Sequence, residues 1–496
     1  MTFDSIVVGG GVSGLSAALI LARQGRKVAV VEQASRPAPL VRGFTRKNVY
    51  FDSAFHYAGG LGDGEVLDLF FRYLGLSDRI EKYPFNQAGF DCFRDEESGW
   101  EFKFPVGISQ LRSALCAEFP KEVRGIDGYL ADLDATCRSL PFLDPDIPAD
   151  KWDGGAVVHG PTLAQVLDKW TDNRALKKLL ALHTLLHGVV PEEVSFAVHA
   201  SVVALYYRST WGICGGGLAL ADAFEAQLRA CDVTMKFGQP VKSLLLDASG
   251  GIRGVELADG EKLFCRECIV STHPRRFLDF APEGALKPAY RKRLLGLEET
   301  ASAFILYAAQ HKTAPILDGA NLFLGRLSQA DELFCEDISR RPLFIAANTG
   351  RGCSGQVPDG WVAICPAHWR ETQPWSSTDR RDRGQGYREF KERMAGRLME
   401  RIRRQVPELA DQASLSAMAS PLTLRDYTGS PVGGLYGVKH RVGQYNPQPK
   451  TRISGVYLTG QASAGPGILG AMTSAFLTCG HLFGHEHLRK EVLACR

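Results

Sequence analysis

Positions 5–33 read SIVVGGGVSGLSAALILARQGRKVAVVEQ, and no other stretch of the 496 residues restricts the fold as tightly. Ile6, Val7 and Val8 are apolar without alternation, as in a strand buried on both faces. VSGLSAALILARQG follows with helical apolar spacing and closes at Gly25 as a C-terminal cap. KVAVVEQ is a second strand. The spacing predicts a βαβ unit of roughly 30 residues, with Gly9-x-Gly11-x-x-Gly14 at its first turn and Glu32 ending its second strand. In such a unit Gly9 allows the tight turn, Gly11 lets a pyrophosphate approach the backbone, and Gly14 lets the helix pack against the strand. The free N–H groups and dipole of the helix N-terminus favour the phosphates. Glu32, followed by Gln33, is placed to meet ribose hydroxyls, and its charge would repel a 2′-phosphate. A dinucleotide held by the N-terminal part of the chain follows, with FAD and NAD both open at this point.

A second glycine-rich turn lies far away in the chain. In ISGVYLTGQASAGPGILGAMTSAFLTCGHLFG (453–484) a strand over Val456–Thr459 leads to Gly460 and Gln461, then to a loop with Pro466 and Gly467, and a helix is predicted from about Gly470. Another helix N-terminus is thereby brought to a ligand, at Gly467, Ile468 and Leu469. In FAD enzymes of the glutathione-reductase type such an element meets the ribityl chain and the pyrimidine edge of the flavin, where the dipole favours the anionic reduced form.

Composition excludes several classes. The formal charge is +3, from 58 basic and 55 acidic residues, so nucleic acid is not an implied partner. No run of about 18 uncharged apolar residues predicts a spanning helix, and no basic leader precedes Asp4. The 12 cysteines are scattered; Cys265 and Cys268 have CxxC spacing but sit in strand-like sequence without a second pair, so they read as unpaired thiols and no metal site is expected. A cytoplasmic protein, with membrane association as a secondary reading, fits these features.

The two ends together resemble the FAD-dependent phytoene desaturase, carotenoid isomerase and retinol saturase family, within the amine-oxidase-like flavoproteins. VYFDSAFHYAGG (49–60), PLTLRDYTGSPVGGLYGV (421–438) and GGGLALADAFEAQL with the following QPVKSLLLDASGGIRGVELADGEKL carry the resemblance through the middle. It implies an α/β fold: a Rossmann-like FAD-binding domain of glutathione-reductase type, with an inserted α+β substrate domain. The expected division is 1–85, 215–285 and 415–496 for FAD, and 86–214 and 286–414 for substrate. Val241 would sit on a strand whose backbone meets the adenine, and Arg42 would compensate flavin negative charge. The family's glycine pair beside the flavin is replaced here by Ala38-Pro39, and the glycine after FD-x by Ala54. A Cβ and a fixed proline φ are expected to change the backbone path at the cofactor.

The resemblance further implies a lipophilic polyene or isoprenoid substrate and a reaction at its C–C bonds: desaturation, saturation, or redox-neutral cis–trans isomerisation. His56 and Tyr57, on the strand leading into Gly59-Gly60, and Tyr436 are the candidate catalytic residues, a histidine near the flavin being able to protonate a polyene carbon. Leu179, Leu182, Leu185 and Leu186 are candidates for a hydrophobic tunnel, with core packing the plainer alternative. The basic amphipathic helix predicted over 386–409 is a solvated face or a contact with an anionic membrane. Two rivals stand at this point. One is a non-catalytic prenyl-lipid-binding protein of the GDP-dissociation-inhibitor type. The other is an amine oxidase, against which the aromatic-free QASAGPGILGAM argues. Oligomeric state is not readable.

Overall fold

The structure is a computed structural model that describes residues 1–140, 142–148, 159–311, 317–328, 335–348 and 359–496. Its centre is a five-stranded parallel sheet in the order Thr234–Phe237, Val28–Glu32, Ser5–Val8, Glu267–Val270, Val456–Leu458. Three distant parts of the chain thus make one sheet. Its strands are apolar on both faces because both faces are covered. Val7 and Val30 pack into the core that holds the helices Val12–Arg23 and Gly467–Phe483. Ile6, Val8, Ala29 and Val31 pack the other way, against a three-stranded antiparallel sheet of Val241–Leu246, Ile252–Leu257 and Lys262–Phe264. Cys265 and Cys268 are free thiols buried in that second layer. Burial pushes the Cys265 thiol up to about 12.

A seven-stranded sheet forms a second body of structure. Its order is Ala413–Ala419, Ser302–Gln310, Gly360–Ala367, Leu343–Ala347, Asn321–Gly325, Asp91–Asp95, Glu101–Phe104, antiparallel except where Asp91–Asp95 runs parallel to Asn321–Gly325 with Asp91 opposite Asn321. The expected boundary at 415 falls inside the strand Ala413–Ala419, which belongs wholly to this sheet. One face is closed by the helix Gln385–Gln405, whose Ala395, Leu398 and Ile402 pack on Phe304, Leu306 and Trp361. That helix ends before Pro407 rather than running to 409, because proline lacks the N–H the next turn would need. Its apolar stripe is therefore used in the core. Arg401 on the same face is buried and pairs with Glu96, Nε to Oε1 at 2.8 Å. The other face of the sheet carries Phe93, Phe323 and Phe344 into the core shared with the helices Val123–Cys137, Arg174–Ala181 and Phe196–Arg208. Among the described residues no helix is long and apolar enough to cross a membrane.

Candidate functional site

The first glycine turn divides its labour by position. Gly9 has φ of 105°, the left-handed region that a side chain would strain. Gly11 is the N-cap of Val12–Arg23 with φ of −74°, no side chain caps that helix, and a Cβ at Gly11 would meet nothing within 4 Å. Gly14 is the opposite case: its Cβ would lie 2.1 Å from the carbonyl oxygen of Gly9. Glu32 braces the loop from below, accepting from Gly10 N at 2.6 Å through Oε2 and from Ala34 N at 2.7 Å through Oε1. Each carboxylate oxygen has a second lone pair for a ribose hydroxyl. A cavity of about 350 Å³ opens here, lined by Gly9, Gly11, Glu32, Gln33 and Val241 among others. Tyr427, 70% exposed at its rim, is an aromatic surface that sequence reading missed, because its motif lies next to the other glycine turn.

Ala38 does not escape the conformation of the glycine it replaces. Its φ is 49°, its N–H donates to Gly10 O at 2.7 Å, and its own carbonyl accepts from Val41 and Arg42. The loop keeps a glycine-like turn at this point and holds an alanine in it. Arg42 is not directed as expected. Its guanidinium is held by Asp222 at 2.6 Å and Glu225 at 3.1 Å, on the helix Gly216–Ala230, and it lines neither this cavity nor the next. Two carboxylates on a neighbouring helix satisfy it more fully than one diffuse charge would.

The second cavity, about 180 Å³, lies at the N-terminus of Gly467–Phe483 and brings the three candidate catalytic residues together. His56, Tyr57 and Tyr436 all line it, with Gly467, Ile468 and Leu469. His56 and Tyr57 precede the strand Ala58–Gly59 in a loop rather than lying on it. The helix begins at Gly467, three residues before the predicted start, has no side-chain cap, and a Cβ at Gly467 would again meet open space. Gly470 makes the turn possible: its Cβ would fall 2.1 Å from Gly465 O. Gly460 and Gln461 line neither cavity. They anchor the loop, Gly460 N donating to Ser474 Oγ at 2.9 Å and Gln461 O accepting from His440 Nε2 at 2.7 Å. Of the tunnel candidates, Leu185 and Leu186 line the cavity while Leu179 and Leu182 are core.

The wall is apolar with a few polar atoms left over. His56 Nε2, Ser302 Oγ and Thr473 Oγ1 are buried without a hydrogen-bond partner among the described residues. Burial lowers the His56 pKa, against the pull of Asp52, so the imidazole is neutral near pH 7. Burial raises the phenols of Tyr57, Tyr206 and Tyr436. Tyr206 was missed: in ALYYR it and Tyr207 are adjacent on the helix Phe196–Arg208, about 100° apart, so one faces the cavity and the other the core. Aromatic side chains do reach the C-terminal turn in space: Tyr57 and Tyr206 arrive there from other elements, with ring centroids 4.7 Å apart. No described residue lining this cavity is Asp, Glu, Lys or Arg.

Two uncapped helix N-termini, two glycines facing open space and orphaned polar atoms on the wall fit a dinucleotide with a ring system at its far end. Comparison with known proteins decides the family. The profile of the family described as flavin containing amine oxidoreductase matches residues 12–322, more than half of the chain. The chain belongs to this family. Its cofactor is FAD, and it is an FAD-dependent oxidoreductase. All-trans-retinol 13,14-reductase of Danio rerio is 24% identical over 99% of this chain and 87% of its own length. The 4,4'-diapophytoene desaturase (4,4'-diaponeurosporene-forming) of Staphylococcus aureus is 22% identical over 61% of this chain and 62% of its own. Among solved structures, an oxidoreductase from Methanosarcina mazei superposes with a TM-score of 0.67 at 16% identity, covering 96% of this chain and 99% of that one, a likeness of fold. The expected Rossmann-like FAD fold and the flavoenzyme family are thereby established.

Proposed function

We propose that this flavoprotein acts on carbon–carbon double bonds of a lipophilic polyene, a retinoid or carotenoid, and that saturation is its direction. The observation that carries the reading is the cavity at Gly467: apolar, free of formal charge on its walls, and large in aromatic and aliphatic surface. FAD, when bound, supplies or takes up hydride there. The relatives named as retinol 13,14-reductases match nearly the whole chain, whereas the desaturase matches about three fifths of it, which favours the reductive direction. Gly9, Gly11, Gly14, Glu32, Gln33 and Val241 are assigned to the adenosine and pyrophosphate end, and Gly467, Ile468 and Leu469 to the flavin end. Gly460 and Gln461 support that turn. Arg42 is assigned to the fold of the loop.

Within the cavity, His56, Tyr57, Tyr206 and Tyr436 surround the substrate chain. The neutral His56 imidazole and the Tyr436 phenol are the groups that would hold or move a proton. No Asp or Glu among the described residues of the wall would pair with a protonated amine.

The test is spectroscopic. Purified protein carrying FAD is reduced without oxygen, mixed with all-trans-retinol or a carotenoid, and the polyene band is followed. A shift to shorter wavelength with reoxidation of the flavin is the expected result. A shift to longer wavelength with oxidised enzyme would reverse the direction, and a changed isomer with no redox change would make it an isomerase. Flavin reduction by a short alkyl amine, with no polyene turnover, would overturn the reading.

A further inference from the structure

Tyr436 reaches its cavity from a loop that its own sequence would leave loose. Gly433 and Gly437 flank it at φ of 66° and 65°, where a side chain would be strained, and Gly434 lies between them. Among the described residues no hydrogen bond holds the Tyr436 phenol, so its aim is set through the backbone.

That backbone is held from one side, by the three residues that lead into the strand Ser302–Gln310. Leu435 N donates to Ala301 O at 2.9 Å, Tyr436 N to Thr300 Oγ1 at 3.0 Å, and Thr300 N to Gly437 O at 2.8 Å. Thr300, which is buried, thus grips the chain on both sides of the Tyr436 Cα. The two side chains also share a neighbour: a Cβ on Gly188 would come within 3.1 Å of both Thr300 Cβ and Tyr436 Cδ2. Glu299 holds the start of the same loop. Its Oε2 accepts from Ser430 Oγ at 3.0 Å, and Ser430 Oγ accepts from Gly434 N at 2.8 Å. Its backbone pairs with Val438.

The brace has a fixed footing. Glu299 Oε1 stands 2.8 Å from His273 Nε2, and His273 Nδ1 accepts from Arg275 N at 3.2 Å, capping the helix Pro274–Phe280. His273 lines the nucleotide cavity, so Glu299 joins the wall of one cavity to the loop that serves the other. The hold on the loop comes through Ser430 and the backbone and does not depend on where the proton between His273 and Glu299 sits. Neither Glu299 nor Thr300 lines the substrate cavity.

We infer that Glu299 and Thr300 are positioning residues that set the reach of the Tyr436 phenol into the cavity. The inference rests on the polyene reading, with Tyr436 as a group that moves a proton, and adds the residues that keep it in place.

Turnover with and without the phenol tests it. The FAD-loaded enzyme is reduced without oxygen and mixed with all-trans-retinol and, in parallel, with a carotenoid. The rate of flavin reoxidation is read separately from the dissociation constant of the polyene. Thr300→Val keeps the shape of the side chain and removes the acceptor. It should slow turnover by about tenfold or more, with polyene binding within about twofold of the unaltered enzyme. Thr300→Ser keeps the hydroxyl and should retain most of the rate. On a Tyr436→Phe background, already slow, adding Thr300→Val should cost nothing further, since a residue that acts only through the phenol has nothing left to place. Glu299→Gln is carried through the same cycle and decides the question if Thr300→Val folds poorly. A full rate in a folded Thr300→Val or Glu299→Gln variant, a full rate in Tyr436→Phe, or an equal loss with and without the phenol overturns the inference and leaves the polyene reading standing. Turnover of neither polyene by the unaltered enzyme overturns both.

Discussion

Gly11 and Gly14 belong to one motif yet answer to different constraints, and alanine at each should fail differently. At Gly14 the new methyl would meet Gly9 O at 2.1 Å inside a packed turn, so Gly14→Ala should cost about 1–3 kcal/mol of stability even without cofactor, read from denaturant unfolding of the apoprotein. At Gly11 the backbone suits alanine and the space is empty. Gly11→Ala should leave apoprotein stability unchanged while weakening FAD binding at least about tenfold by crowding the pyrophosphate, measured by flavin fluorescence. Glu32→Ala removes the acceptor of two backbone N–H groups. It should lower stability by about 2–4 kcal/mol, at the strength of hydrogen bonds to a charged group, and release FAD; differential unfolding with and without added flavin separates the two losses.

Elements are where sequence reading and structure part company. The two glycine turns were legible because each is a local device: glycine spacing, apolar run and acid stand within one short window. The second helix starts at Gly467 rather than Gly470 because its first turn is set by Gly465 and Gly470 meeting, a contact that spacing does not announce. The site chemistry was legible only in part. His56, Tyr57 and Tyr436 could be named from motifs, but Tyr206, packed on Tyr57, and Asp91, which accepts from the Tyr57 hydroxyl, carry none and reach it only through helix phase and sheet pairing. The helix Gln385–Gln405 shows the same limit, since its basic composition hid a buried arginine. Arg401→Ala would leave Glu96 buried and unpaired and should cost about 3–5 kcal/mol, seen as a lower thermal midpoint. The helical segment around His187 should confer acid sensitivity. Burial, with help from His440 and His183, pushes the His187 pKa down to about 3 from an ordinary value of 6.5. The unfolded chain then binds a proton that the folded one refuses, so this stability is full above pH 6.5 and is lost progressively as pH falls toward 3. His187→Gln should flatten the dependence of unfolding midpoint on pH in that window.

At the scale of the molecule, the proposed assignment has FAD span elements that the chain supplies from both ends, so it should act as a strong linker. Added FAD should raise the unfolding midpoint of the apoprotein and keep raising it with the logarithm of concentration above saturation; a midpoint indifferent to flavin would show that the folded chain does not bind it. The central sheet carries one more consequence. Its order places the strand Ser5–Val8 against Glu267–Val270, and that strand against Val456–Leu458. On the ribosome the first glycine turn therefore emerges hundreds of residues before the last strand and the helix that complete its neighbourhood. During that interval its apolar strands stay unpaired at an edge, in need of shelter from association with other chains. Maturation of this flavoprotein is in this sense a question of timing: on the proposed assignment, the turn given to the adenosine end is made early, and the turn given to the ring is made only when synthesis is nearly over.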